Sequence, residues 1–331
     1  MPRTLPSCSF QTSAGATAAA LADPPSRPPP LSLEVLVSEL ASGQLLASAK
    51  QRFPAVPWGP AQLAQVMTWS AALAVVGAAS TLSTPQAAAL GATELQGAAV
   101  RHLGLEVLCC CITTAILFMG LRRSKPRAAG HFQFDLEPGV AMTVVALAAV
   151  AYPLADHLLY SINCAAEEAL SLAGQLPDPG AALVAQLRQC AEAGDGASLA
   201  MHFVASCFVG PLWEETFWRG FFLASMTRVL PLPACLLLSS GSFALLHLGP
   251  GTLLPVAALS AVCDALYLRS GSLAAPLLFH AGWNGYQLGL IVLAGKEAFV
   301  YGSLAAPLLF HAGWNGYQLG LIVLAGKEAF V

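Results

Sequence analysis

"FVGPLWEETFWRGFF", residues 208–222, sets two adjacent carboxylates, Glu214 and Glu215, and one guanidinium, Arg219, among Phe, Trp, Leu and Val. An ionisable side chain in hydrocarbon costs about 2.5–3.5 kcal/mol on insertion scales, so one that stays there faces a partner or a cavity. On a helix Glu215 and Arg219 stand four apart with the acid N-terminal, the favoured order for an ion pair. Glu214 then lies about 100° round the helix, without that partner. A carboxylate in a low-dielectric pocket holds a proton more tightly than in water, which is what a general base needs in order to take one from water. The same spacing suits a structural ion-pair network that locks helices together, and spacing alone does not choose between the two.

The surroundings are those of a membrane protein. Of 331 residues, 56% are hydrophobic and 10% charged, against roughly 25% charged in an ordinary soluble domain. Net charge is −3, with no basic tract interleaved with aromatics, so no nucleic-acid partner is expected. Apolar runs near the ~20 residues that span a bilayer fall at 62–82, 103–121, 138–160, 198–211 continuing into 212–230, 231–248, 252–268 and 273–294. The expected fold is an all-α, polytopic transmembrane bundle of about seven to nine membrane helices enclosing a polar cavity, with the lipid bilayer as its partner. Pro153 and Asp156 in the third run, and Pro231 and Pro233 near the start of the fifth, predict kinks or interrupted helices. "LRRSKPR" (121–127) marks the cytosolic side, or the stromal side in a plastid membrane.

Segment 161–197 is the longest polar stretch, with helix-like periodicity on both sides of "PDPG". Its paired acids, Glu167 and Glu168, are expected on a solvent-facing surface, and its Cys164 and Cys190 could pair only in an oxidising compartment. The nine cysteines show neither CxxC nor zinc-type spacing and read as small buried or lipid-facing side chains.

The two ends differ from the middle. Residues 1–33 are rich in Ala, Ser, Thr and Pro, with Arg3 and Arg27 against Asp23, the acid-poor bias of an organelle transit peptide and equally that of a disordered tail. On that bias a plastid membrane is favoured over endoplasmic reticulum. At the other end "GSLAAPLLFHAGWNGYQLGLIVLAGKEAFV" occurs at 271–300 and again, letter for letter, at 302–331. Structural repeats tolerate substitution at most surface positions, so identity over the whole unit argues for a recent duplication or a gene-assembly error. The expected organisation is therefore an N-terminal region 1–60, transmembrane helices and a polar loop 61–194, a functional domain 195–300 and a duplicate 301–331.

Two further polar pairs join the charged cluster. Phe243 and His247 in "GSFALLHLGPG", and His280 and Asn284 in "LLFHAGWNG", are each four apart and share a helix face. A lone apolar-face histidine is usually a satisfied core residue; three polar clusters on three successive helices are harder to explain separately. Together they supply what amide hydrolysis requires: a carboxylate base, an imidazole at the water and donors for an oxyanion. Neither a Ser or Cys nucleophile setting nor an HExxH zinc pair accompanies them, which favours direct attack by an activated water.

"EETFWR", "FALLH" and "HAGWN", in this order, resemble the signature of the CPBP intramembrane proteases, also called the type II CAAX prenyl endopeptidase or ABI family, over about residues 195–295. The resemblance implies an all-helical membrane fold and cleavage of a membrane-bound peptide or protein, prenylated or related. It also implies roles: Glu214 as water-activating base, His247 its partner at the water, His280 with Asn284 at the oxyanion, and Glu215, Arg219 and Phe243 in support. No cofactor is favoured; a zinc ion, if used, would fall to Glu214, His247 and His280. The duplicated last motif departs from the family. An antiparallel second copy puts His280 and His311 near opposite membrane faces, so one copy joins the site, and the copy following "CDALYLRS" is the choice. The competing readings are a non-catalytic scaffold or partner-binding protein of the same fold and, more weakly, a transporter, for which no inverted repeat is visible.

Overall fold

In a lipid core every backbone N–H and C=O must be satisfied within its own segment, and an unbroken apolar run meets that demand as an α-helix. The computed structural model describes residues 53–81 and 92–300, except 173, 177–179 and 248, together with residues 32, 34, 35, 38, 39 and 42. The chain's first 31 residues and its second C-terminal copy, with His311, lie outside the described residues. Those described form 8 helices and no strand. They are α1 Pro60–Thr81, α2 Ala92–Leu121, α3 Pro138–Ala169, α4 Ala181–Glu192, α5 Gly196–Met226, α6 Leu232–Leu246, α7 Leu253–Ser270 and α8 Ala274–Val300.

The all-α membrane bundle is as expected, and each of the seven apolar runs falls on one helix. Among the described residues, four helices, α2, α3, α5 and α7, are long and apolar enough to cross a membrane. α6, with 15 residues, is only about 22 Å long, shorter than the ~30 Å hydrocarbon core. α2 starts at Ala92, well before the expected 103, because "ATELQGAAVRH" continues the helix in polar residues.

Proline acts in two ways. Pro153 is followed directly by a π-helical turn, Leu154–Leu159, so α3 continues through a widened turn that absorbs the missing N–H. Before Pro211 α5 widens likewise at Ala205–Val209, and it widens again at Thr216–Leu223 around the aromatic cluster. Pro231 and Pro233 kink nothing. They occupy the N-cap and first turn of α6, where a helix has N–H groups to spare.

α7 packs between α6 and α8, α3 packs on α8, and α2 lies against α5. One core cluster joins α3, α7 and α8 through Val144, Tyr152, Leu259, Phe279 and Tyr286. There Tyr152 Oη donates to the Phe279 carbonyl at 2.5 Å, and a Cβ on Gly282 would come within 2.5 Å of that same oxygen. A second cluster joins Trp58, ahead of α1, to Leu121 and to Phe217 and Phe221 of α5.

The polar segment corrects one expectation. Glu168 is exposed, but Glu167 is half-buried: it accepts from Asn163 Nδ2 at 2.5 Å and from the Gly251 amide at 3.0 Å. It ties α3 to the loop between α6 and α7, and Asn163 Oδ1 caps α7 at the Leu254 amide (2.9 Å). Distant backbone donors, invisible in the local pattern, turned a surface acid into a tether. Cys164 and Cys190 are both free thiols.

Candidate active site

α5 delivers Glu214, Glu215 and Arg219, α6 ends at His247, and α8 carries His280 and Asn284. α7 supplies the floor. Arg219, wholly buried, donates from Nη1 to Glu215 Oε1 (2.9 Å), from Nε to Asp264 Oδ1 (2.9 Å), and from Nη2 to the Ser260 carbonyl and hydroxyl (2.8 and 2.7 Å). Asp264 accepts in addition from the hydroxyls of Ser239 (3.2 Å) and Ser240 (3.1 Å) of α6. Burying a charge costs several kcal/mol, offset only when partners satisfy it on every side; here three helices do so.

Glu214 faces elsewhere. His247 Nε2 stands 3.7 Å from its Oε1 and His280 Nε2 3.6 Å from its Oε2. Both distances exceed a direct hydrogen bond and leave polar atoms converging on a common gap. The tautomers follow from the opposite nitrogens. His247 Nδ1 lies 2.8 Å from the Phe243 carbonyl, and His280 Nδ1 lies 2.7 Å from Glu215 Oε1. A carbonyl or carboxylate oxygen can only accept, so each Nδ1 carries the hydrogen and each Nε2 is turned to Glu214. Exposure is graded across the group: the side chain of Glu215 is 1% exposed, His280 5%, Glu214 15% and His247 40%. The charge-pairing residues are sealed, and the site opens on the His247 side.

Phe243 holds these parts together. Its ring lies 5.1 Å under the Arg219 guanidinium, stacks on His247 at 4.3 Å and meets His280 edge-on at 5.8 Å. Asn284 donates from Nδ2 to the Ser206 carbonyl at 2.7 Å, in the first widened turn of α5 where the ladder leaves carbonyls to be satisfied. It shares the face of His280 but has one amide hydrogen committed to α5.

The structure thus gathers Glu215, Arg219, Phe243, His247 and His280 around Glu214, with Asn284 one turn further along α8 and bonded to α5. Asp264, Ser260, Ser239 and Ser240 were not anticipated. Nor was Glu106 of α2, which accepts from Trp213 Nε1 at 2.8 Å, beside Gly210, where a Cβ would come within 3.3 Å of its carboxylate. Asp264 and Glu106 are lone acids in apolar runs, the same signal that exposed Glu214. Three serines carry no such signal. As for zinc, both Nε2 atoms and the Glu214 carboxylate border one gap, and each Nδ1 is held by an acceptor as the outer nitrogen of a metal-bound histidine would be, but no cluster of three His, Cys, Asp or Glu with spacing for a metal ion is found among the described residues.

No curated protein and no solved structure matches the chain. Residues 196–286, which run from the start of α5 to the middle of α8 and hold every group just described except Glu106, match the family model described as Type II CAAX prenyl endopeptidase Rce1-like. The match is confined to this part of the chain, which lies on integral membrane helices, and agrees with the CPBP resemblance of its three motifs.

Proposed function

We propose that this protein is an intramembrane endopeptidase that hydrolyses a peptide bond in a membrane-associated, prenylated substrate through a water activated by Glu214. The observation that carries this is the convergence of two imidazole Nε2 atoms, at 3.6 and 3.7 Å, on the two oxygens of one carboxylate. A water bridges gaps of this kind. Its proton passes to Glu214 as the oxygen attacks the scissile carbonyl, with His247 Nε2 orienting it. The carbonyl π electrons move onto oxygen, and the oxyanion is met by the free amide hydrogen of Asn284, beside the His280 ring that Glu215 holds in place. Glu214 then returns the proton to the leaving amine as the C–N bond breaks.

Glu215 and Arg219 position the site: Glu215 fixes the His280 ring while Arg219 neutralises it. The acid-poor N-terminal region supports a plastid membrane in preference to endoplasmic reticulum. Purified in detergent, the wild type should cleave a farnesylated CAAX peptide, and Glu214→Gln should lose at least about 10²-fold in rate. A folded Glu214→Gln with full activity would sink the mechanism. A wild type that cleaves nothing while Glu214→Gln impairs capture of a partner would favour the non-catalytic scaffold.

A further inference from the structure

The basic stretch that follows α2 takes no part in the site around Glu214. α2 ends at Leu121, a 3₁₀ turn runs over Arg122–Ser124, and Lys125 then takes a left-handed φ of 46°. Two further turns close behind it: the Gly130 amide donates to the Arg127 carbonyl at 3.1 Å and the His131 amide to the Pro126 carbonyl at 3.0 Å. Arg122, Arg123, Lys125 and Arg127 are therefore confined to one compact piece of chain. All four are exposed, and none of their side chains is hydrogen-bonded or ion-paired among the described residues. The acids that follow are Asp135 and Glu137, so four cations against two acids leave residues 122–137 at +2.

The inner side of this loop is fixed to three helices. Gln62 of α1 donates to Ser124 Oγ at 3.3 Å, and Phe132 lies against Gly220 of α5. Gln133 donates from Nε2 to the Arg127 carbonyl at 3.0 Å, while its own carbonyl accepts from the Leu273 amide, just ahead of α8, at 2.8 Å. Its depth follows from α2. Phe118 and Met119, in the last turn, are exposed apolar side chains, which on a membrane helix face lipid. Arg122 comes three residues after Met119, about 4.5 Å along the axis, so the cations stand where hydrocarbon gives way to head groups. Phe134 and Leu136, exposed in the same loop, suit that boundary too.

Four uncommitted cations, held in one shape at the level of the head groups beside exposed apolar side chains, are complementary to negative charge on a bilayer surface. We propose that the turn from Arg122 to Arg127 docks the head groups of anionic phospholipids in the bilayer that the protein spans. A soluble anion meets the same charges but gains nothing from Phe134 and Leu136. The proposal does not depend on proteolysis.

The test is thermal unfolding of the full chain in nanodiscs of phosphatidylcholine alone and of phosphatidylcholine mixed with phosphatidylglycerol. A ligand of the folded turn stabilises the fold, so phosphatidylglycerol should raise the midpoint by about 2–4 °C, and high salt should reduce that gain. The fourfold variant Arg122→Gln, Arg123→Gln, Lys125→Gln, Arg127→Gln should lose the gain, whereas Arg101→Gln, earlier on α2, should keep it. Should the fourfold variant fail to fold, the double variant Arg123→Gln, Arg127→Gln should retain fewer phosphatidylglycerol molecules than wild type in native mass spectrometry. Equal wild-type midpoints in the two bilayers, or a full gain in the fourfold variant, would overturn the proposal. So would inorganic phosphate that reproduces the gain in phosphatidylcholine alone, because that result identifies a site for a soluble anion.

Discussion

Arg219 of α5 and Asp264 of α7, 45 positions apart, form an ion pair at 2.9 Å with neither side chain exposed. Removing one member of such a pair strands the other charge in the bundle, at a cost of about 3–5 kcal/mol. Asp264→Ala should therefore destabilise the protein by roughly that amount, and Asp264→Asn by less, since the amide oxygen can still accept from Arg219 Nε and Ser239. Denaturant unfolding in micelles measures both. An unchanged midpoint for Asp264→Ala would remove α7 from the network that supports the site.

Adjacent glutamates should separate function from folding. Glu214 has no direct hydrogen bond to either imidazole, so Glu214→Gln should cost less stability than Glu215→Gln while abolishing peptide cleavage. Glu215 holds Arg219 and His280 through one oxygen; Glu215→Gln should lose activity and also unfold more readily, by about 1–3 kcal/mol. Paired turnover and unfolding measurements would show the split. Equal loss of stability in both variants would contradict it.

Gly220 is a contact of backbone with ring. A Cβ there would come within 2.7 Å of Phe132, in the loop between α2 and α3, and within 3.4 Å of Leu273. Overpacking of this kind costs about 1–3 kcal/mol. Gly220→Ala should be destabilising, and Phe132→Leu in the same chain should recover part of the loss; the double-mutant cycle reads the coupling directly. Strict additivity would mean that the ring simply moves aside.

His131, in the same loop, is completely buried, with its ring 5.0 Å from Trp58 and 5.6 Å from Phe53. That burial pushes its pKa below the ordinary value, opposed by the bond from Nε2 to the Ala55 carbonyl at 3.3 Å. Above about pH 6.5 the ring is neutral in folded and unfolded chains, and its contribution is fully present. As pH falls below that value the unfolded chain takes up a proton that the folded site resists, so stability declines until the lower folded pKa is reached. Thermal unfolding between pH 7 and pH 5 should show a shallower decline in His131→Gln than in wild type. Parallel curves would assign the acid sensitivity to other groups.

Much of this was legible in one dimension because the bilayer is a demanding solvent. Apolar runs long enough to span it had to be helices, and acids within them had to have a reason to be there, which singled out Glu214, Glu215, Arg219, His247, His280 and Asn284. The i, i+4 pairing of Glu215 with Arg219 is local geometry, readable from spacing. By the same rule Asp264, Glu106 and Asp156 were available in the sequence, but a lone acid without a neighbour at helical spacing names no partner.

Partners far along the chain were decided by tertiary structure alone. That Arg219 reaches Asp264 and Ser260, that Glu215 turns His280 so its Nε2 meets Glu214, and that Glu167 caps a loop 84 positions away depend on which helix packs where. The prolines make the same point: Pro153 widens a helix while Pro231 begins one, because the first has helix before it and the second does not. Composition and local periodicity determined the helices and their cost-bearing residues. Helix packing determined which of those residues face one another, because a charge in a membrane is satisfied by whatever the fold brings within about 3 Å.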